Sequence, residues 1–295
     1  MKKTVFSGAA TAIVTPMNEN GIDFEAFGRL IDWQVGQGVA AIVVAGTTGE
    51  SSTLTDEEHK AVISFCVERV AHRIPVIAGT GSNDTAYAIE LTKFAGEAGA
   101  DAVLLVTPYY NKATQKGLIA SFTAIADNSP VPCILYNVPS RTGCNLLPET
   151  VAVLAKHPNI VAIKEASGNI SQIAKLASLC GDDIDIYSGN DDQIVPILSL
   201  GGKGVISVLS NPLPALTEEI CDRFFAGDVA GARKLQLKLL PLVDALFCEV
   251  NPIPAKAAMS AMGYGENLLR LPLTPMEDAN REGLLSLMRE NGRKV

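Results

Sequence analysis

The sequence has little charge and few rings: charged residues make up 19%, aromatics 5%, and there is one tryptophan. The charge leans acidic, with 24 Lys and Arg against 32 Asp and Glu and a net charge of −8. No basic run is longer than Lys2-Lys3, which argues against a nucleic-acid partner. Long apolar runs are missing too. Residues 39–45 and 102–106 fall far short of the roughly 18 that cross a bilayer, so no membrane partner is expected. The opening Met1-Lys2-Lys3-Thr4-Val5-Phe6 has the basic start of a secretion signal, but Ser7, Gly8, Thr11 and Pro16 break the apolar stretch that must follow. A soluble, cytoplasmic protein is expected. The six cysteines (Cys66, Cys133, Cys144, Cys180, Cys221, Cys248) form no C-x-x-C pair and read as reduced thiols packed in a core. His59, His72 and His157 are dispersed on polar helix faces or near helix ends, so no metal site and no cofactor are expected.

What the chain does have is a beat. Short β-branched runs begin near Ala10, Ala40, Pro75, Ala102, Pro132, Ile160, Ile184 and Gly204, at intervals of 20 to 35 residues, the length of one βα unit. Between them Phe27, Leu30 and Ile31 recur at i, i+3 and i+4, as do Val62, Phe65 and Cys66. Thr55 and Glu58 have capping-box spacing, Pro148 suits a first helical turn, and Gly38, Gly99 and Gly181 follow helix ends. Strands that are apolar throughout and alternate with helices form parallel sheets covered on both faces, and eight units close a (β/α)8 TIM barrel. An open doubly wound sheet would favour a glycine-rich phosphate turn after the first strand, where this chain has Ile13-Val14-Thr15-Pro16. We read an α/β barrel over residues 1–227 and a C-terminal helical domain over 228–295, in which Pro252-Ile253-Pro254 breaks the chain before two shorter helical segments.

Barrel active sites lie at the carboxyl ends of the strands. The residues there are Thr15, Thr47, Thr48, Thr80, Thr107, Tyr109, Tyr110, Tyr136, Asn137, Lys164, Glu165, Ser188, Gly189 and Ser207. They are rich in hydroxyls, with one lysine, no histidine and no carboxylate cluster, which disfavours metal-assisted hydrolysis, glycosidase chemistry and a catalytic triad. Lys164 follows Ile160-Val161-Ala162-Ile163, so its strand carries it into the barrel mouth. Desolvation disfavours an ammonium, and a neutral amine attacks carbonyl carbon to form an imine. An ion pair with Glu165 is the other role open to it. Tyr136 ends the neighbouring strand, where a phenol can exchange protons with an imine or remain an ordinary rim aromatic. The turn from Ala45 to Glu50 offers backbone N–H groups and two hydroxyls suited to a carboxylate.

Four segments carry a resemblance: GTTGES at 46–51, VTPYYN at 106–111, YNVPSRTG at 136–143 and IKEASGN at 163–169. Together with NPIP and LRLPLTP near the end, the chain closely resembles the dihydrodipicolinate synthase family of pyruvate-dependent class I aldolases. The resemblance implies condensation of pyruvate with L-aspartate 4-semialdehyde in lysine and diaminopimelate synthesis, without metal or redox cofactor, by a homotetramer built of two tight dimers. It implies that Lys164 forms the imine, that Tyr136, Thr47 and Tyr110 relay protons, and that Tyr110 acts from a neighbouring subunit. Thr48 then meets the pyruvate carboxylate, Ile206 and Gly189 lie beside the substrate, and Arg141 receives the semialdehyde carboxylate.

Two departures stand out. Asn190 occupies a position where many family members carry aspartate. In lysine-inhibited members a feedback site lies at the dimer interface; Ser51, His59, Asn83 and Tyr109 match it, but Tyr87 replaces a glutamate and Asp56 replaces the histidine of some members. Weak or absent lysine inhibition is expected. A lyase acting on sialic acid or a 2-keto-3-deoxy sugar acid would share Lys164, Tyr136 and GTTGE, and Arg141 speaks against it. A catalytically silent, pyruvate-binding barrel would have no need of Lys164, Tyr136, Thr47 and Tyr110 together.

Overall fold

Eight short strands, apolar on both faces, pair in parallel and close on themselves in the computed structural model, which describes residues 2–295. They are β1 (Gly8–Ala12), β4 (Ala41–Val44), β5 (Val76–Gly79), β6 (Ala102–Val106), β7 (Cys133–Asn137), β8 (Ile160–Glu165), β9 (Asp185–Ser188) and β10 (Gly204–Ser207). A two-stranded ribbon, β2 (Met17–Asn18) with β3 (Gly21–Ile22), follows β1 and lies outside the barrel sheet. Helices α1 (Phe24–Gly36), α2 (Asp56–Val70), α3 (Thr85–Glu97), α4 (Gln115–Asn128), α5 (Pro139–Thr142), α6 (Pro148–Leu154), α7 (Ile170–Cys180), α8 (Ile194–Ser199) and α9 (Pro214–Phe225) intervene between the strands and follow the last. The (β/α)8 expectation holds.

Strand alternation sorts side chains into two layers. Ala10, Ala12, Val43, Leu104, Ile134 and Ile206 fill the barrel interior, while Ile42, Val44, Val103, Leu105 and Leu135 face the helices. Phe27, Leu30, Ile31, Val62 and Cys66 are buried against that outer layer, as the helical spacing requires. Thr55 and Glu58 form the capping box of α2: Glu58 N donates to Thr55 Oγ1 (3.2 Å) and Thr55 N to Glu58 Oε2 (2.9 Å).

Three expectations need correction. β1 starts at Gly8 rather than Ala10 and ends at Ala12, so Ile13-Val14-Thr15 is the loop beyond it. The apolar run continues past the strand because Ile13 and Val14 are buried without barrel pairing. The helical run does break before two shorter helices, but at residues 247–252: Pro252 caps α11 (Ile253–Ala261) and Pro254 lies in its first turn, where proline is compatible with a helix. His59 is not on a polar face: it is buried, with Nε2 2.8 Å from Gly79 O, and burial lowers its pKa. All six cysteines are free; Cys248 is exposed and the others buried.

Helices α10 (Val229–Leu246), α11 and α12 (Asp278–Glu290) share one apolar cluster with β10, α8 and α9, through Leu239, Leu242, Ala258, Leu284 and Met288. Among the described residues no helix is long and apolar enough to cross a membrane.

The barrel closes where β1 meets β10, and there Gly8 pairs with Gly204. Gly204 has φ +154°, and a Cβ built on it lies 1.9 Å from Gly8 O. No side chain fits without separating the two strands. Gly204→Ala is therefore expected to cost roughly 3 kcal/mol or more of unfolding free energy in urea titration. A loss below about 1 kcal/mol would show that the seam yields easily.

Candidate active site

Strand β8 turns a single lysine into the barrel because its pairing with β7 shifts by one residue. Cys133 pairs with Ile160 but Ile134 with Ala162, leaving Val161 as an extra residue, and from there Tyr136 stands directly opposite Lys164. Lys164 is 6% exposed, and its Nζ lies 4.4 Å from the centroid of the Tyr136 ring, within cation–π range. Glu165 points the other way. Its carboxylate accepts from Asn137 Nδ2 (3.1 and 3.3 Å) and Ser167 N (2.7 Å), and burial raises its pKa. Lys164 and Glu165 form no ion pair, which closes one of the two roles the sequence left open.

A cavity of about 200 Å³ opens over Lys164 at the carboxyl ends of the strands. Thr47, Thr48, Tyr136, Arg141, Gly189 and Asn190 line it together with Ala12, Val43, Ser140, Val208, Phe247 and Asn251. Most other rim hydroxyls are committed to the scaffold. Thr15 Oγ1 donates to Gly49 O (2.8 Å), Thr80 pairs with Thr92 (2.8 Å), Thr107 donates to Thr142 (3.2 Å), and Ser188 donates to Asn190 O (2.7 Å). Ser207 Oγ accepts from Ser210 N at 2.9 Å.

Thr47 and Thr48 sit on a tight turn. Gly49 N donates to Gly46 O (3.0 Å) and Glu50 N to Thr47 O (3.1 Å), with Ala45 (φ 52°) and Glu50 (φ 57°) both left-handed. The turn is pinned from the far end of the chain. Glu50 pairs with Lys256 of α11 at 2.6 Å, the side chains being 1% and 2% exposed, and Glu50 Oε2 also accepts from Arg270 N (3.2 Å). Lys256 Nζ donates to Leu268 O (2.6 Å); burial lowers its pKa while Glu50 raises it. Arg141, on α5, donates from Nη2 to Asn251 O (3.1 Å), and Asn251 Nδ2 donates to Thr48 Oγ1 (3.1 Å).

Other predicted positions lie elsewhere. Ile206 is fully buried inside the barrel and is not part of the cavity wall. Tyr110 is 90% exposed, in a left-handed conformation (φ 71°), and lines no described cavity around Lys164. Ser51, His59 and Tyr109 line a second cavity of about 370 Å³ with Tyr87 and Arg141. Asn83 instead donates to Tyr109 O (3.2 Å). Tyr87 Oη donates to Asp56 Oδ1 (3.0 Å), whose other oxygen pairs with Lys60 (2.8 Å).

Sequence reasoning missed Asp191, Asn251, Glu50 and Lys256. Asp191 is buried behind the mouth and accepts from Val208 N (3.0 Å) and Leu209 N (2.9 Å); burial raises its pKa and the Lys164 charge lowers it. Lys256 had a signal: it is a lone cation among small apolar residues, like Lys164.

A closed parallel barrel with one buried lysine at its carboxyl-terminal mouth, faced by a phenol and threonines, defines a class of lysine-bearing TIM-barrel proteins. A model of the dihydrodipicolinate synthetase family matches residues 5–291. The 4-hydroxy-tetrahydrodipicolinate synthase of Thermoanaerobacter sp. (strain X514) is 55% identical over 289 residues, covering 98% of this chain and 97% of that protein. The crystal structure of dihydrodipicolinate synthase from Thermotoga maritima superposes with a TM-score of 0.96 at 45% identity, over 98% of this chain and 99% of that one. The pyruvate complex of the Acinetobacter baumannii enzyme gives 0.95 at 45% identity, over 98% and 99%. The chain belongs to the dihydrodipicolinate synthetase family.

Lys256→Met leaves the Glu50 carboxylate buried and unpaired under the Thr47–Thr48 turn. The variant is expected to lose about 3–5 kcal/mol in chemical denaturation. The double variant Lys256→Met with Glu50→Gln is expected to recover part of it, and equal losses in both would show that the pair contributes nothing through its charges.

Proposed function

We propose that the chain condenses pyruvate with L-aspartate 4-semialdehyde to 4-hydroxy-tetrahydrodipicolinate, a carbon–carbon-bond-forming lyase step of lysine and diaminopimelate synthesis. The observation that carries this is the Lys164 amine lying against Tyr136 in a small cavity whose wall also presents Thr47, Thr48 and Arg141. A relative of known structure, the Acinetobacter baumannii enzyme, is complexed with pyruvate.

The Lys164 nitrogen attacks the keto carbon of pyruvate, water leaves, and an imine forms. Loss of a methyl proton gives the enamine, whose carbon attacks the aldehyde of the second substrate and makes the new C–C bond. The substrate amine then adds to the imine carbon, the C–N bond to Lys164 breaks, and the six-membered ring closes with the lysine amine regenerated. Each step moves protons. Tyr136 is positioned to carry them to and from the imine, with Thr47 beside it on the cavity wall. Thr48 offers a hydroxyl to the pyruvate carboxylate, Gly189 borders the same space, and Arg141 offers a planar guanidinium to the carboxylate of the semialdehyde.

The exposure of Tyr110 supports its acting in the relay of a neighbouring copy. The assembly this calls for is a homotetramer made of two dimers, working in the cytoplasm. Ser51, His59, Asn83 and Tyr109 then correspond to a lysine feedback site. Here the Asp56 carboxylate is already held by Lys60 and Tyr87. A lysine ammonium finds its partner taken.

A condensation assay tests the reading. Turnover is expected with pyruvate and aspartate semialdehyde, none with Lys164→Ala, and a kcat lowered by about 10²-fold or more in Tyr136→Phe. Turnover of N-acetylmannosamine in place of the semialdehyde would overturn it. In the same assay free lysine below millimolar concentration is expected to leave the rate unchanged; strong inhibition would show that Tyr87 and Asp56 do not block the feedback site.

A further inference from the structure

Asn251 stands between the two groups assigned to the two substrate carboxylates, although it belongs to the C-terminal segment between α10 and α11. It lines the cavity and is 5% exposed. Its side-chain Nδ2 donates to Thr48 Oγ1 at 3.1 Å, and its main-chain oxygen accepts from Arg141 Nη2 at 3.1 Å. One residue thereby touches the hydroxyl that meets the keto acid and the guanidinium that meets the semialdehyde.

The polarity of the first bond matters. A hydroxyl has one hydrogen to give and two lone pairs to receive with. An amide N–H can only donate, so Asn251 occupies a lone pair of Thr48 and leaves its hydrogen free. Thr48 Oγ1 has no other side-chain partner among the described residues. Its hydrogen is available to a carboxylate in the cavity.

We propose that Asn251 is a positioning residue for pyruvate: its amide fixes the Thr48 hydroxyl as a hydrogen-bond donor to the pyruvate carboxylate, while its carbonyl holds Arg141 in place for the second substrate. This rests on the condensation described above. Since only the side chain changes on substitution, the two substrates are expected to respond differently. The Arg141 contact survives because it uses the main chain.

The test compares Asn251→Ala with the near-isosteric Asn251→Asp, in the full-length protein. Packing alone ranks Asp above Ala. Bond polarity ranks them the other way, because an aspartate accepts the Thr48 hydrogen and takes it from the substrate. Asn251→Ala is expected to raise the KM for pyruvate roughly tenfold, and Asn251→Asp further at pH 8, with the KM for the semialdehyde within about twofold of wild type. Lowering the pH protonates the new carboxylate, so the Asp variant is expected to approach the Ala variant in acid. If the Ala variant does not fold, the Asp variant at the two pH values carries the test. A pyruvate KM unchanged in the folded variants, or a rise shared equally by both substrates, overturns the inference. Absence of turnover in the wild-type protein overturns the condensation itself and is thereby told apart from failure of Asn251.

Discussion

The site depends on one extra residue in strand β8. Because side chains alternate across a strand, a one-residue change of register exchanges the faces of everything beyond it. Val161 is that residue: after it Ala162, Lys164 and the facing Tyr136 share the barrel interior, and Ile163 joins the outer layer under the helices. Were Val161 to pair with Ile134 instead of bulging, Tyr136 would face Ile163, and the amine would lie among helices rather than in the mouth. The cation–π approach of Lys164 and Tyr136 is thus set by backbone pairing.

The second half of the site comes from far along the chain. The turn bearing Thr47 and Thr48 follows β4, yet it is braced by Asn251, Lys256 and Arg270. A glycine-rich turn with two left-handed residues has no sheet to hold it. The buried Glu50–Lys256 pair supplies the hold, together with the half-buried Glu58–Arg270 contact beside it. The C-terminal helices therefore do more than cover the β1–β10 side of the barrel: they complete the wall of the cavity.

The barrel was legible in the sequence because buried parallel strands are continuous apolar runs and their spacing is that of βα units. The same rule misplaced β1, since Ile13 and Val14 are apolar for burial in a loop. The β2–β3 ribbon has two residues per strand, too few for any period to show. Lys164 could be found because a lone cation in an apolar strand is costly unless used. Asn251 could not: its contact with Thr48 spans 203 positions and involves two unremarkable polar residues. The role proposed for Tyr110 draws on a second copy of the chain; within one copy the residue is simply exposed.

All of the proposed chemistry follows from a covalent bond between Lys164 and a keto acid. The most direct measurement is borohydride reduction of the protein in the presence of pyruvate, followed by peptide mass mapping. A stable adduct on the peptide holding Lys164, absent when pyruvate is omitted, is the predicted result. An adduct on another lysine, or none at all, contradicts the imine and with it the meaning given to the β8 bulge.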